Sequence, residues 1–272
     1  MSDRKYVHGY GGRESRRLRD QANTLVDLLH DDTRYPQGCT VLEAGCGVGS
    51  QTLSLARNSP GARIVSVDIS QESLRKAEAL VETEGIANVR FQQADIYSLP
   101  FATAFFDHVF VCFVLEHLRE PIEALEELSR VLKPGGTITV IEGDHGSAYF
   151  HPDSDAAHAA IRCQVELQRT AGGDACIGRR LYPLLVSAGF AGVGVSPRMV
   201  YVDSSRPELV EGFTRKTFTA MIEGIRDVAI ETGMIAPDLF DDGVRDLYRA
   251  AESDGVFCYT FFKAVGARPH PA

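Results

Sequence analysis

The chain has 272 residues, 44% of them hydrophobic, with 37 acidic against 28 basic side chains and a net charge of −9. That is enough apolar material for a core, and the acidic balance speaks against a nucleic-acid partner, whose phosphates need basic surface. No apolar run approaches the roughly 20 residues of a membrane-spanning helix, and the first residues lack the apolar stretch of a signal peptide. The six cysteines are scattered without a Cys-x-x-Cys pair. They read as small buried residues of a reduced, cytoplasmic protein.

In chain order, residues 1–37 are expected to form an N-terminal arm. Leu18, Ala22, Leu25, Val26 and Leu29 recur at helical spacing within Glu14–His30. The arm begins Lys5-Tyr-Val-His-Gly-Tyr-Gly-Gly-Arg13, and its Tyr6 and Tyr10 among glycines suit a lid over a ligand. Alternation then starts: strand 39–44, helix 50–58, strand 62–67, helix 71–84, strand 88–94, strand 106–113, helix 120–132 with Ile122, Leu125, Leu128 and Leu132 facing inward, and strand 136–142. Strands alternating with helices imply a parallel sheet covered on both faces. Beyond Glu142 the stretch 143–176 is polar, holds three histidines and contains a helix over 154–170. A helix over 178–188, a strand over 191–202, two helices within 205–247 and a last strand over 256–265 follow.

Val41-Leu-Glu-Ala-Gly-Cys-Gly-Val-Gly49 carries the most chemical information. Gly45, Gly47 and Gly49 at a strand-to-helix turn let backbone approach a ligand closely. Glu43 in front of them would repel a pyrophosphate and attract a cationic ligand. Asp68 ends the second strand where an acid can accept from both ribose hydroxyls, and Asp95 ends the third, where it can meet an adenine amine. A nucleoside with a positive head fits all of these.

These segments, with Val67-Asp68-Ile-Ser70, Gln93-Ala-Asp95, Leu99-Pro-Phe101, Phe106-Asp-His-Val-Phe110, Leu115-Glu-His-Leu118 and Val131-Leu-Lys-Pro-Gly-Gly136, resemble the class I S-adenosylmethionine-dependent methyltransferases. The resemblance is nearest to the small-molecule branch that includes the ubiquinone and menaquinone C-methyltransferases. It covers about residues 39–142 and is specific for fold and cofactor, not for the methyl acceptor. It implies a seven-stranded Rossmann-like α/β sheet, ordered 3-2-1-4-5-7-6 with strand 7 antiparallel, helices on both faces and a helical lid. The whole chain would be one domain: arm 1–37, cofactor core 38–142, and acceptor-side insertions with sheet completion over 143–272.

The resemblance also implies S-adenosylmethionine as cofactor, S-adenosylhomocysteine as product, and a small-molecule acceptor, with the protein a monomer or homodimer. The cofactor would be held by Glu43, Gly45, Cys46, Gly47, Gly49, Gln51, Asp68, Ile69, Ala94, Asp95, Ile96, Cys112, Phe113 and His117. Methyl transfer from a sulfonium is an in-line displacement, so the protein mainly positions the nucleophile, and a base is needed only where the acceptor must lose a proton. His145 is the first choice for that base, with Asp144 or Glu142 to orient it. His117 is a second candidate, although packing accounts for it as well. Arg180 and Tyr182 are candidates to face the acceptor. Glu142, Asp144, His145, His151 and Asp153 match no metal motif, and no metal is expected. Two other readings stand beside this one. A nicotinamide or flavin oxidoreductase would want a third glycine where Ser50 stands. A non-catalytic cofactor-binding regulator would keep the turn and lose the transfer.

Overall fold

The computed structural model describes residues 25–271. Seven strands form one sheet in the order β3-β2-β1-β4-β5-β7-β6. They are β1 (Thr40–Ala44), β2 (Arg63–Asp68), β3 (Val89–Gln93), β4 (Phe106–Cys112), β5 (Leu132–His151), β6 (Ala191–Val202) and β7 (Val256–Ala267). Strands β3, β2, β1, β4 and β5 are parallel, and β7 is antiparallel. The order expected from the resemblance is the one observed.

The helices between these strands form where the sequence places them. Helix α1 is described over 25–30 and buries Leu25, Leu29 and His30. Helix α2 (Ser50–Asn58) starts on the left-handed Gly49, and α3 (Gln71–Thr83) is capped by the Ser70 hydroxyl, which accepts from Ser73 N at 3.2 Å. Helix α4 (Pro121–Val131) begins with proline at its first turn and buries Ala124, Leu125, Leu128 and Val131. Ile122 was expected on the inner face; it is 37% exposed, because the buried stripe is rotated toward Ala124 and Val131.

Two units emerge from the packing. One comprises residues 28–142, 177–197 and 262–271. Its core joins one face of the sheet, with Leu42, Val67, Val109, Val111, Ile138 and Val140, to α4 and to α6 (Leu181–Ser187). The buried Lys263 ammonium of β7 donates to Leu29 O and to Thr33 Oγ1 at 2.6 Å, and it pairs with Asp32, so it binds the carboxyl end of α1 in place.

The other unit comprises residues 25–27, 143–176 and 198–261. Here α5 (Asp155–Thr170), capped by Ser154, packs on α10 (Pro237–Arg249). Between them in sequence lie α7 (Pro207–Leu209), a π-helix (Val210–Thr219), α8 (Ala220–Glu223) and α9 (Arg226–Glu231). The insertions expected as lid thus divide: 143–176 and 198–261 make a unit of their own, while 177–197 and 262–271 complete the first.

Three differences from the sequence reading follow from packing. Strand β5 runs to His151, nine residues beyond its expected end, because its polar residues Asp144 and His145 are buried rather than looped into solvent. The region 205–247 has a π-helix and four short or medium helices in place of two. The expected helix over 14–30 is described only from residue 25, and Tyr6 and Tyr10 lie outside the described residues. Among those residues, no helix is long and apolar enough to cross a membrane, and no three His, Cys, Asp or Glu side chains are gathered as for a metal ion.

Candidate functional site

In the glycine turn after β1, two glycines press on neighbouring side chains and the middle one is open among the described residues. A Cβ on Gly45 would strike the Val114 side chain, and one on Gly49 would lie 3.0 Å from Ala77 Cβ and 3.1 Å from Ala77 Cα. At Gly47 a Cβ would meet none of the described residues within 4 Å. All three have positive φ, at +77°, +54° and +82°. The outer two therefore seat the turn against its neighbours, and the middle one presents bare backbone to a ligand.

Asp68 locks this turn to the end of β2. Its Oδ2 accepts from Gly47 N at 2.9 Å and its Oδ1 from Ser70 N at 2.8 Å. Burial raises its pKa, opposed by the backbone N–H groups of Ser70, Gly47 and Ile69. Ile69 beside it is 48% exposed, an apolar face open to a flat ring. At the end of β3, Ala94 N donates to Asp68 O at 3.1 Å, and Asp95 Oδ1 accepts from Tyr97 N at 3.1 Å. Ile96 is buried next to them. One strand-end row thus contains Gly47, Asp68, Ile69 and Asp95.

Glu43 sits lower than expected. It is 2% exposed and does not project into the turn as a bare charge. Its Oε2 accepts from Ser66 Oγ at 2.5 Å and Thr52 Oγ1 at 2.8 Å, the first from the residue paired with it on β2 and the second from α2. Burial pushes its pKa up to about 7, against these two hydrogen bonds. Both bonds go to Oε2, so Oε1 is the atom left to meet a cation. Ser50 Oγ, at the start of α2, is buried with no partner among the described residues. An open cradle at Gly47, a buried hydroxyl without a partner and a carboxylate with one oxygen uncommitted fit a ligand that carries both an ammonium and hydrogen-bonding groups.

The loop after β4 closes this side. Phe113 has a φ of +58°, unusual for a non-glycine residue, and Val114 rests on Gly45. Glu142, at the middle of β5, holds that loop: its Oε1 accepts from Val114 N at 3.0 Å and Leu115 N at 2.7 Å. It is fully buried, its Oε2 has no partner among the described residues, and burial with the nearby Glu116 charge puts its pKa well above the usual carboxylate range. Glu142 is therefore a buried anchor for the 113–115 backbone and not the orienting partner of His145. Cys46 and Cys112 are buried, and burial raises both thiol pKa values, so they fill space. Gln51 Oε1 accepts from His30 Nε2 at 2.7 Å, which places its side chain toward α1. His117 Nε2 lies 3.5 Å from Glu116 Oε1.

His145 belongs to the other unit. Its Nδ1 lies 2.7 Å from the Tyr259 hydroxyl, and both residues are buried. The partner expected from the sequence was Asp144 or Glu142; the geometry supplies a tyrosine from β7. Asp144 Oδ1 accepts from Gly146 N at 3.0 Å, a local turn contact. Arg180 and Tyr182 belong to the first unit, where Tyr182 is 56% exposed, and neither lines the cavity around His145. Sequence reasoning missed Ser66, Thr52 and Tyr259. The first two were detectable, since Ser66 faces Glu43 in register and Thr52 is on the first turn of α2. Tyr259 had no local signal, being 114 residues from His145.

Residues 42–140 match the family model described as a methyltransferase domain. The chain carries a methyltransferase domain. That domain spans β1 to β5 and includes the glycine turn, Asp68 and Asp95. Among relatives, an uncharacterized 37.1 kDa protein in a Streptomyces fradiae transposon is 32% identical over 208 residues, 75% of this chain and 59% of that protein. The ubiquinone/menaquinone biosynthesis C-methyltransferase UbiE of Syntrophotalea carbinolica is 39% identical over 103 residues, 38% of this chain and 43% of that protein. The chain therefore spans about half the length of these relatives. In structure, the chain is similar to a Haemonchus contortus phosphoethanolamine N-methyltransferase 2 solved with S-adenosyl-L-methionine, at a TM-score of 0.56 and 17% identity, covering 92% of this chain and 53% of that one. At that identity the likeness bears on the fold of the methyltransferase domain.

Proposed function

We propose that the protein transfers the methyl group of S-adenosylmethionine to a small organic acceptor. The observation that carries this reading is the cradle at Gly47, bounded by Asp68 and backed by the buried Glu43, inside a methyltransferase domain. When bound, the cofactor supplies a methyl already activated by a cationic sulfur. The protein's share is to hold and to exclude water. Asp68 would accept from the ribose hydroxyls while keeping the turn closed through Gly47 N. Ile69 would cover one face of the adenine, and Asp95 would accept from its amine. Glu43 Oε1 would face the ammonium, and that cation would draw the carboxyl toward its charged form. The methyltransferase domain also weighs against a nicotinamide or flavin oxidoreductase.

On the acceptor side, His145 serves as general base where the nucleophile is a hydroxyl or an ammonium. Titration calorimetry tests the cofactor half. The wild-type protein should bind S-adenosylmethionine saturably, and Asp68→Ala should weaken it by roughly tenfold or more, the scale of losing hydrogen bonds to a carboxylate. Unchanged affinity would remove Asp68 from the site. Transfer of labelled methyl to a panel of small acceptors, with His145→Gln as control, tests the catalytic half.

A further inference from the structure

The cavity beside His145 lies wholly within one unit and is lined by Phe213, Phe218, Met221, Tyr259 and Phe261, with Thr217 at its side. Among the described residues its lining has four aromatic rings, a thioether and no Lys, Arg, Asp or Glu. A charged acceptor would lose its hydration there without a counter-charge. Among the described residues the polar groups that line it are the His145–Tyr259 pair and the Thr217 hydroxyl, which donates to Gly212 O at 2.7 Å. An apolar core gains nothing from a buried imidazole–phenol pair, whereas a binding pocket uses such a pair to orient its ligand.

Two features show that the chain is shaped around this pair. A Cβ on Gly143 would collide with the Tyr259 hydroxyl, so glycine at this place in β5 is what lets the phenol reach His145. The wall opposite is the π-helix. Its wider turn, with bonds from i to i+5, puts Phe213, Thr217 and Phe218 on one side, which a 3.6-residue turn does less well. It also leaves the Thr214 and Thr219 hydroxyls buried without partners among the described residues. Such segments are rare and frequently sit at functional sites. The open space is about 30 Å³, room for one or two waters, so a ring enters only as Phe218 or Met221 swings aside.

We propose that this cavity binds the methyl acceptor, that the acceptor is a neutral, largely apolar ring compound bearing a hydroxyl, and that Tyr259 is the positioning residue that orients His145 toward it. The proposal rests on the methyltransferase reading. The acceptor hydroxyl gives its proton to His145. Its oxygen forms the new bond to the methyl carbon as the carbon–sulfur bond breaks, the electron pair remaining on sulfur. The proton then passes from the imidazole to water. Phe218 and Met221 set the largest ring admitted.

The test uses the full chain and three probes of similar shape, followed by ligand-observed NMR: p-cresol, p-xylene in which a methyl replaces the hydroxyl, and 4-methylbenzoate, which is charged. Wild type should bind p-cresol best and 4-methylbenzoate not at all. Tyr259→Phe should weaken p-cresol about fivefold, the worth of one hydrogen bond, and leave p-xylene unchanged. Phe218→Ala should admit 2-naphthol. Equal binding of p-cresol and p-xylene by wild type, or equal loss of both in Tyr259→Phe, overturns the proposal. Binding of S-adenosylhomocysteine, measured in the same samples, separates the two readings. If it is intact while p-cresol fails, only the pocket is wrong; if it is absent in wild type, the methyltransferase reading fails with it.

Discussion

Glu43 shows how a residue's environment revises what its identity suggests. A carboxylate before a glycine turn reads as a negative charge presented to the ligand. Burial beneath Thr52 and Ser66 instead raises its pKa from 4.5 to about 7. An acid whose folded pKa is raised holds its proton longer in the folded state, so stability falls as pH rises from about 4.5 to about 7 and stays low above that. The span corresponds to about 3 kcal/mol. Glu43→Gln keeps an oxygen for both hydroxyls and removes the titration. It should melt close to wild type at pH 5 and higher than wild type at pH 8, while binding S-adenosylmethionine roughly tenfold or more weakly. Thermal melts at both pH values and calorimetry at pH 8 check this. A Glu43→Gln protein no more stable than wild type at pH 8 would contradict the buried, titrating carboxyl.

The glycine turn belongs to the scale of the element. Its three glycines look alike in sequence and are positioned for different reasons. Gly47→Ala places a methyl in open space and costs only the left-handed backbone, about 1 kcal/mol. It should melt nearly as wild type and lose cofactor affinity, because the methyl occupies ligand space. Gly49→Ala should do the reverse first, destabilising α2 against α3, since its neighbour is Ala77 backbone that has nowhere to go. Paired melting and binding curves separate the two. The π-helix is a second case. Phe213, Phe218 and Met221 are apolar residues that any helix would bury, and only the i to i+5 geometry gathers Phe213, Thr217 and Phe218 on one cavity wall.

For the whole molecule, ligand linkage supplies the measurement. A ligand that binds only the folded state adds RT ln(1 + [L]/Kd), about 2.7 kcal/mol at a hundredfold excess over Kd. For a chain of this size that is a rise of roughly 5–10 °C in Tm. S-adenosylhomocysteine should produce it and NAD should not; a shift with NAD alone would favour the dinucleotide reading.

The sequence by itself determined the alternation of strands and helices from Thr40 to Val140, and it determined the positions of Asp68 and Asp95. Those features are local: burial period, caps and glycine turns act over a few residues, and strand ends fall where the apolar runs stop. It also pointed to the sheet order, but only through resemblance. Tertiary structure decided the rest. It sank Glu43 between Thr52 and Ser66, gave Glu142 to the backbone of Val114 and Leu115, extended β5 to His151, and paired His145 with Tyr259. The hydrogen bonds among these join residues 9 to 114 positions apart. Local preference places Thr52 on the first turn of α2, but it does not encode the long-range pairs of Glu142 with Val114 and Leu115 or of His145 with Tyr259. They arise when buried polar groups, denied water by the packing around them, must find partners on other strands and helices.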